Sequence, residues 1–227
     1  MSVQAVVFDL DGVLISSESW WDEVRRSTAT ASGRPWPEGA TRALQGMSTQ
    51  EWSAYLTDTV GVAGTPAEVA EQVIDQMVLH YQAQLPLLPG ALTVVHRLAQ
   101  RWPLGLASSS PRRLIDVVLD AAGLTASFQV TASTEQVAEG KPSPAVYLRV
   151  AQQLGVDPGQ AVAIEDSSNG LRSAAAAGFL VLAVPHADFP PAADALALAD
   201  HQVAALTEVS VDLIARLTRR SGRPPLD

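Results

Sequence analysis

Five short apolar runs, at residues 3–8, 103–107, 128–131, 161–164 and 180–184, limit the fold of this chain more than any other feature. Each is too short for a buried helix and suits a strand covered on both faces. Helical spacing fills most of the intervals, with Leu114, Ile115, Val118 and Leu119 in one and Val146, Val150 and Leu154 in another. Strands alternating with helices predict an α/β fold, a Rossmann-like doubly wound parallel sheet. One interval breaks the rhythm. After Gly12, about ninety residues pass before the next strand signal, far more than a simple crossover needs.

That long interval carries helical patterns at 17–31, 49–59 and 66–84, and in the last Val69, Val73 and Met77 fall four apart beside Ile74 and Val78. One apolar face of this kind lets the inserted helices pack on one another. Two prolines and a glycine between Pro86 and Gly90 mark the return to the main body. The spacing therefore predicts an α/β core of residues 1–15 and 89–227 with an inserted α-helical cap at 16–88. The tail from Arg219, rich in Gly and Pro, is expected to fray.

Polar residues gather where the predicted strands end, which is where open α/β sheets bind ligands. Asp9 and Asp11 follow the first run, and Gly12 lets the chain turn sharply beneath them. Two unit charges about 4 Å apart repel by roughly 4 kcal/mol at an effective dielectric near 20, so a proton or a cation is needed there. A second acidic pair, Glu165-Asp166, follows the fourth run and favours a hard cation. Between the pairs stand Ser108, Ser109 and Ser110, and Lys141, the only lysine beside 14 arginines. A compact ammonium suits a phosphate oxygen. Taken alone, Lys141 also reads as an exposed residue of a Pro-rich turn, Ser110 as a helix cap, and Asp166 as the cap of a helix at 168–178.

Composition removes several classes. The chain has 227 residues, 47% of them hydrophobic, enough for one substantial core and a smaller attached unit. A formal charge of −9 argues against nucleic-acid and anionic-membrane surfaces and leaves a small metabolite as the expected partner. Without cysteine there is no disulfide, thiolate catalysis or cysteine-ligated metal. His80, His96, His186 and His201 lack metal-ligand spacing. With no basic region ahead of the first run and no span of bilayer length, the expected location is cytoplasmic, and a monomer is the default.

In order and context, four motifs resemble the haloacid dehalogenase superfamily of phosphotransferases, in the branch with an α-helical cap to which β-phosphoglucomutase belongs. They are Asp9-Leu10-Asp11-Gly12-Val13, Ser108 after a strand, Lys141-Pro142, and Glu165-Asp166-Ser167-Ser168-Asn169-Gly170. The resemblance implies a phosphomonoesterase acting on a small phosphorylated metabolite, a sugar or polyol phosphate. By it Asp9 is the nucleophile that forms an aspartyl phosphate, and Asp11 the acid and base that serves both halves of the reaction. Ser108, Ser109 and Lys141 would bind the phosphoryl group. Magnesium would be held by Asp9, the Asp11 main-chain carbonyl, Asp166 and Glu165.

The same resemblance separates reactions within the family. Relatives that displace halide lack the second aspartate and need no metal, and phosphonate cleavage depends on a cap lysine, which is absent here. The mutase carries a cap histidine and an arginine at places that here read as Trp21 and Thr49, which favours a simple phosphatase; Arg25, Arg26 and Arg42 are the available substitutes. A mutase and a non-catalytic phosphate-ligand binding protein remain the alternatives. Trp20 and Trp21 are assigned to cap packing, and Glu18, Gln45 and Met47 to the neighbourhood of the cap and core junction.

Overall fold

The computed structural model describes residues 2–44, 47–186 and 189–220. Its centre is a six-stranded sheet, all parallel, built from β1 (Ala5–Phe8), β2 (Leu104–Ser108), β3 (Val130–Ser133), β4 (Ala161–Glu165), β5 (Leu180–Ala183) and β6 (His201–Gln202) in the order β3-β2-β1-β4-β5-β6. The order reverses at β1, between β2 and β4. Parallel register pairs Phe8 with Leu106 on one side and with Ile164 on the other, so the two acidic pairs leave the sheet side by side.

Strand alternation divides the core into two layers. Val6, Phe8, Leu106 and Ile164 face one cluster, whereas Ala5, Val7, Ala107 and Ala163 face the other. Three helices, α5 (Ala91–Ala99), α6 (Arg112–Ala121) and α10 (Val211–Arg216), cover the first face. The second is covered by α7 (Ala145–Leu154), α8 (Ser168–Ala176) and the short α9 (Ala193–Leu196). Each large aliphatic side chain fully buried in these layers contributes about 1.5–3 kcal/mol.

The long interval after β1 forms helices α1 (Glu18–Ala31), α2 (Ala40–Ala43), α3 (Thr49–Ala54), which runs on as a π-helical turn at Tyr55–Val60, and α4 (Pro66–Ala83). Reciprocal capping boxes, Ser48 with Glu51 and Thr65 with Glu68, set the starts of α3 and α4. Val69, Val73 and Met77 are buried and continuous with Trp21, Val24 and Trp52. The two connections to the core run together, with Ser16 N–H donating to Pro86 O at 2.8 Å and Leu88 N–H to Leu14 O at 2.9 Å.

Three details depart from the sequence reading. A sixth strand, His201–Gln202, extends the sheet although both residues are exposed. The third strand begins at Val130, because Phe128 packs edge-on against Phe8, with ring centroids 5.9 Å apart, before pairing starts. Arg219 and Arg220 are tied down: Arg219 donates to Gly178 O at 2.7 Å and the Arg220 N–H to Asp200 Oδ1 at 2.8 Å. The rest of that tail, 221–227, lies outside the described residues, as does Gln45.

Candidate active site

Asp9 continues β1 by one residue, its N–H donating to Ile164 O at 3.0 Å, which fixes its side chain at the sheet edge. Asp11 follows, and Gly12 turns the chain with φ +83°; a Cβ there would stand 1.9 Å from Asp166 Oδ2. Only glycine therefore lets the two acidic segments approach this closely. Asp9, Glu165 and Asp166 each bring a carboxylate oxygen within 4.8 Å of the others.

Lys141 is buried and not an exposed turn residue. Its ammonium donates to Asp9 Oδ1 at 2.7 Å, Glu165 Oε1 at 2.6 Å and Ala107 O at 3.0 Å, which uses all three of its protons. Burial lowers its pKa, but Asp9 and Glu165 outweigh that and hold it above the ordinary lysine value.

Glu165, fully buried at the end of β4, accepts on both oxygens. Oε1 takes Lys141 and the Tyr147 hydroxyl at 2.9 Å. Oε2 takes longer bonds from the N–H groups of Asp166 at 3.1 Å and Ser167 at 3.4 Å, and from the Ser167 hydroxyl at 3.3 Å. Gly170 makes room for this carboxylate, since a Cβ there would meet its Cδ at 2.0 Å.

Asp11 is clasped by two hydroxyls: Ser17 Oγ donates to its Oδ1 and Ser110 Oγ to its Oδ2 at 2.6 Å. Ser110 thus serves Asp11, and no side chain caps α6 at its Pro111 start. Nor does Asp166 cap α8; that is done by Ser167, which accepts from Gly170 N–H at 3.1 Å. Asp166 Oδ1 is buried with no hydrogen-bond partner among the described residues. Ser108 is fully buried and its Oγ accepts from Ser110 N–H at 2.9 Å, whereas Ser109 lines the cavity in front of it.

The Lys141 ammonium is paired with two carboxylates, Asp9 and Glu165, and Asp11 and Asp166 stand close by. Burial pushes the Asp9 carboxyl up to about 8 from an ordinary 3.8; Lys141 pulls it down, while Glu165 and Asp11 push it further up. Asp166 is raised for the same reasons, burial first, then Glu165 and Asp9. The site is short of positive charge, and an all-oxygen donor set with one orphaned buried oxygen fits a hard divalent cation.

A cavity of about 340 Å³ opens over this cluster. Asp9, Asp11, Ser109, Lys141 and Asp166 line it from the sheet edge, and Ser17, Glu18 and Arg42 line it from the segment that follows β1. A smaller cavity of about 60 Å³ adjoins it, sharing Asp11, Glu18 and Ser109 and adding Trp21, Arg25 and Trp52. The Arg25 guanidinium stands over both indoles, 4.7 Å from the Trp21 ring and 5.1 Å from the Trp52 ring, while the two rings touch each other with centroids 5.9 Å apart. Trp20 stacks away from it, on His80 and Tyr81.

These motifs on this sheet decide the family, and a sequence profile of haloacid dehalogenase-like hydrolases matches residues 3–178. The chain belongs to the haloacid dehalogenase-like hydrolase family. This hydrolase is 34% identical over 217 residues to hexitol phosphatase B of Escherichia coli K12, covering 92% of this chain and 95% of that protein. It is 30% identical over 177 residues to the phosphorylated carbohydrates phosphatase of Thermotoga maritima, covering 78% and 82%. CbbY from Rhodobacter sphaeroides, solved in complex with phosphate, superposes with a TM-score of 0.81 at 26% identity, covering 91% and 96%.

Tyr147 and Trp52 are site neighbours of this hydrolase that sequence reasoning missed. Tyr147 sits beside Val146 in a helical apolar stripe, where its ring reads as core, and nothing in the pattern marks its hydroxyl. Trp52 reaches Arg25 only through the packing of α3 near α1.

Proposed function

We propose that this hydrolase is a magnesium-dependent phosphatase of a small phosphorylated metabolite, a sugar or polyol phosphate. The observation that carries the reading is the cluster of four carboxylates around a single buried lysine, opening onto a cavity at the carboxyl edge of the sheet. The names of the two curated relatives, a hexitol phosphatase and a phosphorylated carbohydrates phosphatase, support the substrate class. Residues 16–88 act as the cap over a core of 1–15 and 89–227, joined where the two connections pair.

In this reading Asp9 attacks phosphorus, forming an acyl phosphate bond as the ester P–O bond breaks. Asp11, in its protonated form, gives its proton to the departing alkoxide, with Ser17 and Ser110 holding the carboxyl in place. As a carboxylate it then takes a proton from water, whose oxygen attacks phosphorus, breaks the bond to Asp9 and releases inorganic phosphate. Lys141 holds Asp9 and offsets charge at the phosphoryl oxygens. Ser109 in the wall, and Ser108, whose hydroxyl proton has no acceptor among the described residues, donate to the same oxygens. Asp9, the Asp11 main-chain carbonyl and Asp166, with Glu165 as a further ligand or behind them, would hold magnesium, which would supply positive charge that offsets the repulsion between the phosphate and the carboxylates.

The test is phosphate release from a panel of sugar, polyol and glycolytic phosphates, with magnesium or with chelator, by wild type and Asp9→Asn. Magnesium-dependent release lost in the variant is expected. Interconversion of positional isomers without net release would replace the phosphatase by a mutase, and binding without turnover would replace it by a binding protein.

A further inference from the structure

The cap contains two side chains of opposite charge that attract each other along α1 but leave their hydrogen-bonding capacity open. Arg25 is 7% exposed, yet no hydrogen bond or ion pair holds its guanidinium among the described residues, and its Nε is buried without a partner. Glu18, two helical turns earlier on α1, likewise has no hydrogen bond or ion pair among them. Their neighbours on the same helix differ. Arg26 donates to Asp22 at 2.5 Å and to Thr41 at 2.8 Å, and Thr41 closes the set by donating to Asp22. A buried polar group without a partner costs free energy, and one that borders a cavity can recover it from a ligand.

Both unpartnered groups border the small cavity, which also touches Asp11, the residue that faces the leaving alcohol. The two indoles brace the guanidinium, so it is held in one place before any ligand arrives. Guanidinium only donates and carboxylate only accepts, whereas a hydroxyl does both. A second anionic group on the substrate would gain from Arg25 but meet Glu18 and Asp11 together. Adjacent hydroxyls meet no such repulsion, since one accepts from Arg25 while the next donates to Glu18. Trp21 and Trp52 also line the small cavity and add apolar surface for the carbon skeleton.

Resting on the phosphatase reading, we infer that Arg25 and Glu18 form the subsite for the leaving group, and that it takes the adjacent hydroxyls of an uncharged polyol. Arg25 is a specificity-determining residue in this assignment and takes no part in bond making.

The experiment compares kcat/KM for a hexitol phosphate, for propyl phosphate and for a hexose bisphosphate, in wild type, Arg25→Met and Glu18→Gln. The readout is the ratio of the hexitol ester to the propyl ester. A lost hydrogen bond to a charged group predicts a fall of that ratio by about tenfold to a hundredfold in Arg25→Met, mostly through KM, and a smaller fall in Glu18→Gln. A structural role for Arg25 would lower both esters together and leave the ratio standing, which overturns the assignment. A wild-type preference for the bisphosphate that Arg25→Met removes would overturn it in favour of an anion site. Should Arg25→Met fail to fold, an unchanged ratio in Glu18→Gln overturns it equally. Wild type that cleaves both monoesters with equal kcat/KM defeats the subsite and leaves the phosphatase standing, while wild type that cleaves no ester defeats both.

Discussion

The sheet edge beneath the large cavity and the cap side of the adjoining small one treat their polar groups in opposite ways. On the sheet edge Lys141 has three acceptors and Glu165 five donors, whereas among the described residues of the cap Arg25 and Glu18 have none. The sheet-edge wall is preorganised, because Lys141, Glu165 and Asp11 are each tied by at least two hydrogen bonds. The unsaturated wall keeps hydrogen-bonding capacity in reserve for whatever enters, which is where selection between substrates can reside. On the proposed reading, chemistry and recognition are divided between two adjoining cavities that share Asp11, Glu18 and Ser109.

The contrast is broken most completely at Asp9. In Asp9→Asn the amide keeps the shape of the wall but loses the proposed nucleophile, and turnover should fall by at least about four orders of magnitude. The fold should survive, since the change removes a charge that burial disfavours. Retained turnover would move the nucleophile elsewhere and with it the assignment of this wall to chemistry.

Next in size is Gly170→Ala, which tests whether the packing of the sheet-edge wall is as tight as its hydrogen bonds suggest. The added methyl would stand 2.0 Å from the Glu165 carboxylate, so either α8 or the carboxylate must shift. Overpacking of this kind costs about 1–3 kcal/mol. A lowered Tm together with a lowered kcat is expected, because the displaced group is the one that holds Lys141. Loss of Tm with full kcat would show that Glu165 is scaffolding alone.

The same division explains what was legible in the sequence. Asp9, Asp11, Glu165 and Asp166 sit next to strand ends whose positions follow from apolar runs and parallel pairing, so their convergence is carried by the backbone. Lys141 was readable as a solitary lysine, although its burial was not. The cap was readable as helices, but Arg25 meets Trp52 only through the way separate helices pack, and no periodicity encodes that. Strand β6 escaped for a different reason. His201 and Gln202 are exposed and polar, and only main-chain pairing with Leu182 and Ala183 makes them a strand.

Metal and pH sharpen the comparison in a third way. Asp9 in the folded chain holds its proton up to about 8 against an ordinary 3.8, with burial as the chief cause. Between those values the native state binds a proton that the unfolded chain has released. The stability this provides is complete below the lower value and is lost as pH rises through the upper one. A bound divalent cation holds the carboxyls ionised and removes that slope. Thermal unfolding with chelator or with magnesium, at about pH 5 and about pH 9, should therefore show a larger magnesium-induced rise in Tm at the higher pH. Equal rises would mean that the excess charge of the sheet-edge wall is answered without a cation.

The smallest effect is expected at Tyr147, and it probes how much redundancy the saturated wall contains. Tyr147→Phe removes one donor from Glu165 Oε1 but leaves Lys141 on the same oxygen at 2.6 Å. The ring keeps its edge contact with Phe179, 5.3 Å between centroids, and its place beneath the Lys141 ammonium at 5.2 Å. A hydrogen bond to a charged acceptor contributes about 1.5–3 kcal/mol, and the surviving ammonium puts this loss near the lower end. Tm should drop by a few degrees. The kcat should fall less than about tenfold, since the phenol, held protonated by burial and Glu165, exchanges no proton with substrate. A larger fall in kcat than Tm accounts for would mean that Lys141 alone cannot keep Glu165 in register. The sheet-edge wall would then depend on a complete set of bonds, where the cap wall works by leaving its set incomplete.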